Sequence, residues 1–340
     1  MKLSFEPHIL YFKYPFKIAH GIRTSTPIVL IQIEHDGFVG YGEASMPPYL
    51  GESHQSVTGF LKRASTIISG LKFPFDMESI LHEIDQIAEN NTAAKASIDI
   101  ALHDLLGKML NQPCWKMFHG DKCKAPYTTY TIGIDESEII KQKVNDGEEF
   151  KILKVKLDGV NDKSIINTIR SVTDKPIAVD VNQGWKDKHV ALEMIEWLAD
   201  KNVLFVEQAL PKDNFDDAYW LFERSPLPLF ADETVQRLCD IKFASTCFHG
   251  INIKLMKCTG MYEAYKMIQR ARSLKLQVLI GCMSETSCAI SAAAQLSPLV
   301  DYADLDGALL IKNNLFDGIK FTDGKIILNE MPGIAALPRG

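Results

Sequence analysis

Two lysines stand two apart in the run FKILKVKLDG, Lys154 and Lys156, inside an otherwise apolar stretch. Residues i and i+2 of a β-strand share a face, so their ammonium groups lie side by side. Taken alone, the pair reads as well as strand-edge lysines capping carbonyls. Further along, acidic residues end apolar runs: Asp180 in PIAVDVNQG, Glu207 in VLFVEQAL, and Asp232 with Glu233 in LPLFADE. One Asp at a strand end is most often a turn or helix-cap residue. Three in succession need compensation, because buried unpaired carboxylates are expensive. A divalent cation supplies it, and oxygen-only ligands with no nearby His or Cys favour Mg²⁺ or Mn²⁺ over zinc. Lys254, in GINIKLMK, is a third candidate amine. A lysine moves protons near neutral pH only when burial or neighbouring positive charge draws its pKa down. Lys257 lies past that strand, in the turn before Gly260, and reads as structural.

These residues need elements to hold them in one place. From about residue 126, short β-rich runs alternate with helical ones, near 25 residues per unit. PYTTYTIGI, ILKVKLDG, PIAVDVNQG, VLFVEQAL, LPLFADE, GINIKLMK, LQVLIGC and YADLDGA are eight strand candidates, with patterns such as DKHVALEMIEWLAD between them. Eight parallel strands of this kind predict a TIM-type barrel, whose active site lies at the C-terminal strand ends. An open doubly wound sheet is the rival, but no GxGxxG follows the first strand. Each candidate above sits at such a strand end, joined by Cys282, Ser284 and Glu285 on the seventh and Asp304 and Asp306 on the eighth. Lys156 and Lys254, on the second and sixth strands, are expected across the mouth from each other. Before the barrel, IVLIQIEHDGFVGYGEA reads as a hairpin with a DG turn, followed by helices near 54–70, 77–90 and 92–110. The tail, FDGIKFTDGKIILNEMPG, has two DG turns between β-runs and is expected to return to this N-terminal unit.

Bulk properties bound the rest. The chain has 340 residues, is 46% hydrophobic and carries a net charge of −6. No Lys/Arg tract appears, so nucleic acid is an unexpected partner. No apolar run reaches the ~18–20 residues of a membrane span, and the first residues lack a signal-peptide core. Seven scattered cysteines with no CxxC pair fit free thiols in a reducing cytoplasm.

KVK, DVN, VEQ, ADE and IKLMKCTG on successive strands together resemble the enolase superfamily, in its muconate-lactonizing subgroup. KASIDIALHDLLGK is similar to that subgroup's N-terminal barrel helix, and the resemblance covers nearly the whole chain. It implies a modified (β/α)₇β barrel, residues 126–314, under an α+β capping domain of residues 1–125 completed by 315–340. By the same resemblance Asp180, Glu207 and Asp232 bind one Mg²⁺ per subunit, which holds a substrate carboxylate and stabilises an enediolate. Lys156 and Lys254 would flank the α-carbon, one removing a proton and the other delivering one to the opposite face. Lys154 would support Lys156 electrostatically.

GCMSE and DLDG narrow the expectation to the dipeptide epimerases of that subgroup. There the DxD pair binds the substrate's free ammonium, a role that falls on Asp304 and Asp306. Thr131, with Thr129 beside it, and Cys282, Met283 and Ser284 become further substrate contacts. Arg23, in GIRTSTP, sits where the family has a covering loop and could pair with an acidic side chain, as in Ala-Glu epimerases. Tyr49, Leu50 and Glu52, in PPYLGES, belong to the second covering loop. The expected protein is thus a cytoplasmic homo-oligomer acting on L-Ala-D/L-Glu or a near relative, in murein peptide recycling. Succinylbenzoate synthase or muconate cycloisomerase chemistry is the alternative, and it offers DLDG no ammonium. A barrel that binds without turnover is the third reading, and the intact lysines and carboxylates argue against it.

Overall fold

The computed structural model describes residues 1–18 and 21–339. Strands β1 (Lys2–Ile18), β2 (Gly21–His35) and β3 (Phe38–Ser45) form an antiparallel sheet in that order. Asp36 and Gly37 join the last two with φ of 48° and 83°. Positive φ at both central residues marks the primed turn whose twist suits a hairpin. Helices α1 (His54–Gly70), α2 (Met77–Asp85) and α3 (Thr92–Met109) follow. α3 is buried on nearly every side. Gly40 and Gly42 of β3 let it lie directly on the sheet, since a Cβ on either would overlap the Ala101 or Ser97 carbonyl oxygen.

A short α4 (Cys114–Met117) leads into the barrel. Among the described residues, eight parallel strands run in sequence order: β4 (Thr129–Ile132), β5 (Ile152–Lys156), β6 (Ile177–Asp180), β7 (Val203–Glu207), β8 (Leu229–Ala231), β9 (Gly250–Lys254), β10 (Gln277–Gly281) and β11 (Tyr302–Asp304). Between them lie α5 (Ser137–Asp146), α6 (Asp162–Arg170), α7 (Lys188–Ala199), α8 (Phe215–Phe222), α9 (Ile241–Ala244), α10 (Met261–Ser273) and α11 (Ser287–Ala294). A parallel bridge between Thr128 and Ala303 joins the last strand to the first, and the Leu305 N–H donates to Thr128 Oγ1 at 2.8 Å. The architecture is the expected (β/α)₇β barrel beside an antiparallel capping unit.

The interior is layered by the period-2 geometry of the strands. Ala178, Phe205, Phe230 and Leu279 form an apolar cluster with Tyr302 packed on it. The rings of Phe205 and Phe230 lie 4.3 Å apart, and Gly250 makes room for Phe230. Two residues beyond each member, on the same face, stand Asp180, Glu207, Asp232, Gly281 and Asp304. On these five strands an apolar or aromatic residue thus lies below and, Gly281 apart, an acidic candidate lies above, whereas β5 and β9 carry Lys154 and Asn252 below Lys156 and Lys254.

The tail divides. Ile334 N–H donates to Asp104 of α3 at 2.9 Å, and the Phe316 ring packs edge-on against Tyr41 of β3 at 5.5 Å. The hairpin of Lys320–Thr322 and Lys325–Ile327 instead covers the start of the barrel. Thr128 N–H donates to the Gly324 carbonyl at 2.8 Å, and Phe321 meets Phe150 at 6.4 Å. That part of the tail departs from the expectation, because its apolar face matches the bottom of β4 and β5.

Candidate active site

Strand register brings the strand-end residues into one layer. Lys156 pairs with Asp180, and Asp180 with Glu207. Across the ring, Lys254 pairs with Gly281 and Gly281 with Asp304. Gly281 is small for a reason: a Cβ there would strike the side chain of Asn252. Asn252 Nδ2 donates to Glu207 Oε1 at 2.7 Å. Sequence reasoning passed over Asn252, although it lies two before Lys254 and so shares its face.

Asp180, Glu207 and Asp232 are fully buried or nearly so, and each offers an oxygen within 4.8 Å of the others. Four lysines surround them. Lys156 Nζ lies 2.5 Å from Asp180 Oδ2, and Lys254 Nζ 2.7 Å from Asp232 Oδ2. Lys154 Nζ reaches Glu207 Oε2 and Asp304 Oδ2 at 2.8 Å and Asp180 Oδ2 at 3.2 Å. Lys257 reads as structural in the sequence but is part of this cluster. Its Nζ, 1% exposed, bonds Asp232 Oδ1 at 2.6 Å and the carbonyls of Asp232, Val235 and Asn252. Its distance from the strand hid it; the turn folds it back beneath the carboxylate.

The charges follow from this geometry. Burial works against the Asp180 carboxylate, but Lys156 and Lys154 outweigh it and lower its pKa to about 2. Burial likewise opposes Asp232, and Lys254 and Lys257 hold its carboxyl well below the usual range. Glu207 is pushed up to about 7 by burial and by Asp180. Neighbouring positive charge was expected to pull the lysines toward neutrality. For Lys254 the site's charges act the other way: burial lowers its pKa, yet Asp232 outweighs that and holds it well above the usual lysine value. Lys154 is held up in the same way by Asp304, Glu207 and Asp180. The donor set, three clustered buried carboxylates with no His or Cys, fits a hard divalent cation such as Mg²⁺.

Above this layer lies a cavity of about 290 Å³. Lys156 on β5 and Lys254 on β9, four strands apart, both line it, with Asn182, Asp232 and Glu233. Thr131, Asp304 and Asp306 line it too. Cys282, Met283 and Ser284 line it from the β10 loop, and Arg23 and Tyr49 close it from the cap. Lys154, Asp180 and Glu207 stand behind that surface, bonded to it through Lys156 and Asp304. Leu50 and Glu52 do not line the cavity. Glu52 instead caps α3, accepting from the N–H groups of Ala93 at 2.8 Å and Ala94 at 3.3 Å. Thr129 also lies outside the lining; its hydroxyl donates to Asp304 Oδ1 at 2.6 Å.

The two DLDG aspartates differ. Asp304 is saturated by Lys154 and Thr129, and although burial opposes its charge, Lys154 and Lys156 hold its carboxyl below the usual range. Asp306 Oδ2 accepts from the Thr131 N–H at 2.6 Å, while burial and then Asp304 push its pKa up to about 7. Arg23 leans over the Phe12 ring at 5.8 Å, and its buried Nη1 has no hydrogen-bond partner among the described residues. Burial lowers the pKa of this guanidinium, with Tyr49 opposing.

The cap is bolted to the barrel by Tyr49 and by Glu43, Ser45 and Asp99, the last three not singled out by sequence reasoning. Glu43 of β3 accepts from the Thr286 N–H at 2.9 Å, the Thr286 hydroxyl and the Ala289 N–H at 3.4 Å, at the start of α11. Ser45 Oγ donates to the Ser284 carbonyl at 2.8 Å, and the Tyr49 hydroxyl to Met283 Sδ at 3.1 Å. Asp99 of α3 accepts from the Met261 N–H at 2.5 Å and the Tyr262 N–H at 3.2 Å, at the start of α10. Gly260, with φ of 122°, leaves room for it, since a Cβ would meet the Asp99 side chain. Asp99 stands in for the side-chain cap that Gly260 cannot give α10, Glu43 adds to the local Thr286 cap of α11, and both acids suit the positive end of the helix dipole.

Residues 6–118 match the family described as mandelate racemase / muconate lactonizing enzyme, N-terminal domain. Residues 137–338 match the one described as enolase C-terminal domain-like. The chain is 53% identical over 338 residues to the L-Ala-D/L-Glu epimerase of Bacteroides thetaiotaomicron, covering 99% of this chain and 88% of that protein. It is 36% identical to the L-Ala-D/L-amino acid epimerase of Pedosphaera parvula, over 98% of this chain and 97% of that protein. Among solved structures it is similar to the substrate-liganded L-Ala-D/L-Glu epimerase from Bacillus subtilis, with TM-score 0.93, 26% identity and 99% of both chains covered. A dipeptide epimerase from Enterococcus faecalis complexed with Mg and L-Leu-L-Tyr is similar at TM-score 0.92 and 29% identity, over 98% of both chains. Fold, site and kinship agree: the chain belongs to the enolase superfamily, and it is an isomerase.

Proposed function

We propose that the protein is a dipeptide epimerase of the L-Ala-D/L-Glu type. One observation carries the reading. A single cavity brings together two amines for proton transfer, Asp232 at the edge of a carboxylate cluster suited to a cation, a carboxylate for an ammonium, and a guanidinium whose Nη1 has no partner among the described residues. The charges of L-Ala-Glu, one ammonium and two carboxylates, have a counterpart for each.

Asp180, Glu207 and Asp232 would hold the Mg²⁺, which supplies positive charge for the substrate's α-carboxylate. Asp306 accepts the ammonium. Asp304 stands behind it and keeps Lys154 in place, so the two DLDG residues divide the work. Arg23 Nη1 takes the glutamyl carboxylate, a charge-assisted bond in a half-buried setting. With both ends fixed, the glutamyl α-carbon lies between the Nζ atoms of Lys156 and Lys254. One amine must be neutral and the other an ammonium: the neutral Nζ takes the α-proton and the ammonium, the form in which Asp232 holds Lys254, gives a proton to the opposite face, which inverts the centre. Cys282, Met283 and Ser284, held by Ser45 and Tyr49, form the wall beside the reacting carbon.

L-Ala-L-Glu incubated with the enzyme and Mg²⁺ in D₂O should lose its glutamyl α-proton NMR signal and yield the L,D epimer. Absence of α-deuteration across acidic and apolar dipeptides would refute the proposal. Lactonizing or dehydrating chemistry would leave Asp306 without its cation.

A further inference from the structure

A second cavity, of about 530 Å³, adjoins the first. Thr131 and Leu310 line both, so they form a wall seen from two sides. Both are fixed through their backbones. The Thr131 N–H is bonded to Asp306. The Leu310 carbonyl accepts from the Lys13 N–H of β1 at 2.8 Å, and the Lys312 N–H donates to the Tyr11 carbonyl at 2.8 Å. The cap therefore holds Leu310 in place just after the carboxylate that receives the ammonium. Beyond the wall, the second cavity is lined by the rings of Tyr14, Tyr130 and Phe150, by Lys13, Lys143 and Lys312, and by the acids Asp146 and Glu149.

The position of the ammonium limits where the first side chain of a dipeptide begins. An ammonium on Asp306 places the β-carbon of the same residue roughly 2.5 Å from its nitrogen, two covalent bonds away. That carbon starts beside Thr131 and Leu310. We propose that Leu310 sets the size of the N-terminal residue: it admits an alanine-sized side chain and shuts longer ones out of the adjoining cavity. The cavity behind it is a latent pocket for long N-terminal side chains, whose stems would lie along the rings and whose tips would meet the lysines. This inference rests on the dipeptide-epimerase reading above.

The test compares kcat/KM for L-Ala-L-Glu, L-Leu-L-Glu and L-Phe-L-Glu in the wild type, Leu310→Ala and Leu310→Val. The wild type should prefer the alanyl over the leucyl dipeptide by at least about tenfold, since a few methylenes in a closed pocket discriminate on that scale. Leu310→Ala should raise the leucyl-to-alanyl ratio by about tenfold, mainly through KM, and Leu310→Val by less. A wild type indifferent to the first residue, or a ratio unmoved in the variants, would overturn the proposal. Should Leu310→Ala fail to fold, the ratio in Leu310→Val decides. A wild type inert on every dipeptide would defeat the epimerase reading itself, and this inference with it.

Discussion

At the mouth of the barrel the functional side chains are buried and multiply bonded; in the loops of the cap that cover it they are not. Lys154 is 1% exposed and touches three carboxylates, whereas Ile22, next to Arg23 on the cap, is 64% exposed. The mouth is held by β-ladders on both sides, so its charges are fixed before substrate arrives, as electrostatic catalysis needs. From the cap, Arg23, which lies at the start of β2 rather than in the expected loop, brings a guanidinium whose Nη1 has no partner among the described residues, and Tyr49 bonds Met283, a sparse arrangement that suits choosing among substrates. Between them runs the seam of Glu43, Ser45 and Asp99, which ties the cap to the β10 loop, the start of α11 and the start of α10. On the proposed reading, proton transfer belongs to the mouth and the glutamyl contact to the cap, and the two should separate under mutation.

The largest effect should come from the mouth. Lys156→Ala and Lys254→Ala should each lower kcat for L-Ala-L-Glu by about 10³-fold or more, while far-UV circular dichroism stays that of the wild type. Either variant epimerising at the wild-type rate would remove that lysine from the reaction. A smaller effect of a different kind is expected from the cap. Arg23→Met should lower kcat/KM for L-Ala-L-Glu by about 10–100-fold, mostly in KM, and lower it much less for L-Ala-L-Leu. An equal loss on both dipeptides would mean that Arg23 supports the loop rather than reading an acid.

The seam should have the smallest effect on activity, and its signature is a pH-dependent stability. Burial raises the Glu43 carboxyl to about 7, with the Thr286 and Ala289 bonds opposing. Burial, then Glu43, raises Glu285 to about 8. Both folded values exceed the unfolded value of 4.5. The folded state therefore binds more protons, and its stability contribution is complete below 4.5 and lost as pH rises through about 7 to 8. In thermal or urea unfolding, stability should fall between pH 5 and 8 by up to about 1.4 kcal/mol per pH unit for each group. Glu285→Gln should flatten that decline; an unchanged slope would show that Glu285 does not keep its proton on folding.

How much of this was readable beforehand differs by region for the same physical reasons. The barrel was legible because a strand's period of two and a βα unit's length leave regular marks. Those marks put Asp180, Glu207, Asp232, Lys154, Lys156 and Lys254 at strand ends before any fold was seen. Lys257 was read as structural, and its ammonium does cap three carbonyls, but its added bond to the Asp232 carboxylate was hidden because a turn, rather than a period, carries it there. Glu52 was assigned to the covering loop because proximity in sequence hid its bonds to Ala93 and Ala94, 41 and 42 residues on. Glu43 gave a faint signal, an acid between glycines in a strand otherwise suited to burial, but its partners lie 243 residues away or more.

The order of residue types along the chain determined the strand period, the barrel and the set of groups able to bind a cation and move protons. Side-chain chemistry and local periodicity are properties of short stretches, and so the sequence carries them directly. Which group pairs with which was decided only in three dimensions. Lys154 meets Asp304 across 150 residues because β5 and β11 face one barrel interior, and that contact gives Asp304 a partner that Asp306, bonded to the Thr131 N–H, does not share. The shape of the cavities, the freedom of Arg23 and the wall at Leu310 likewise depend on how the cap seats on the barrel. That seating rests on many weak long-range contacts, and no local pattern encodes them.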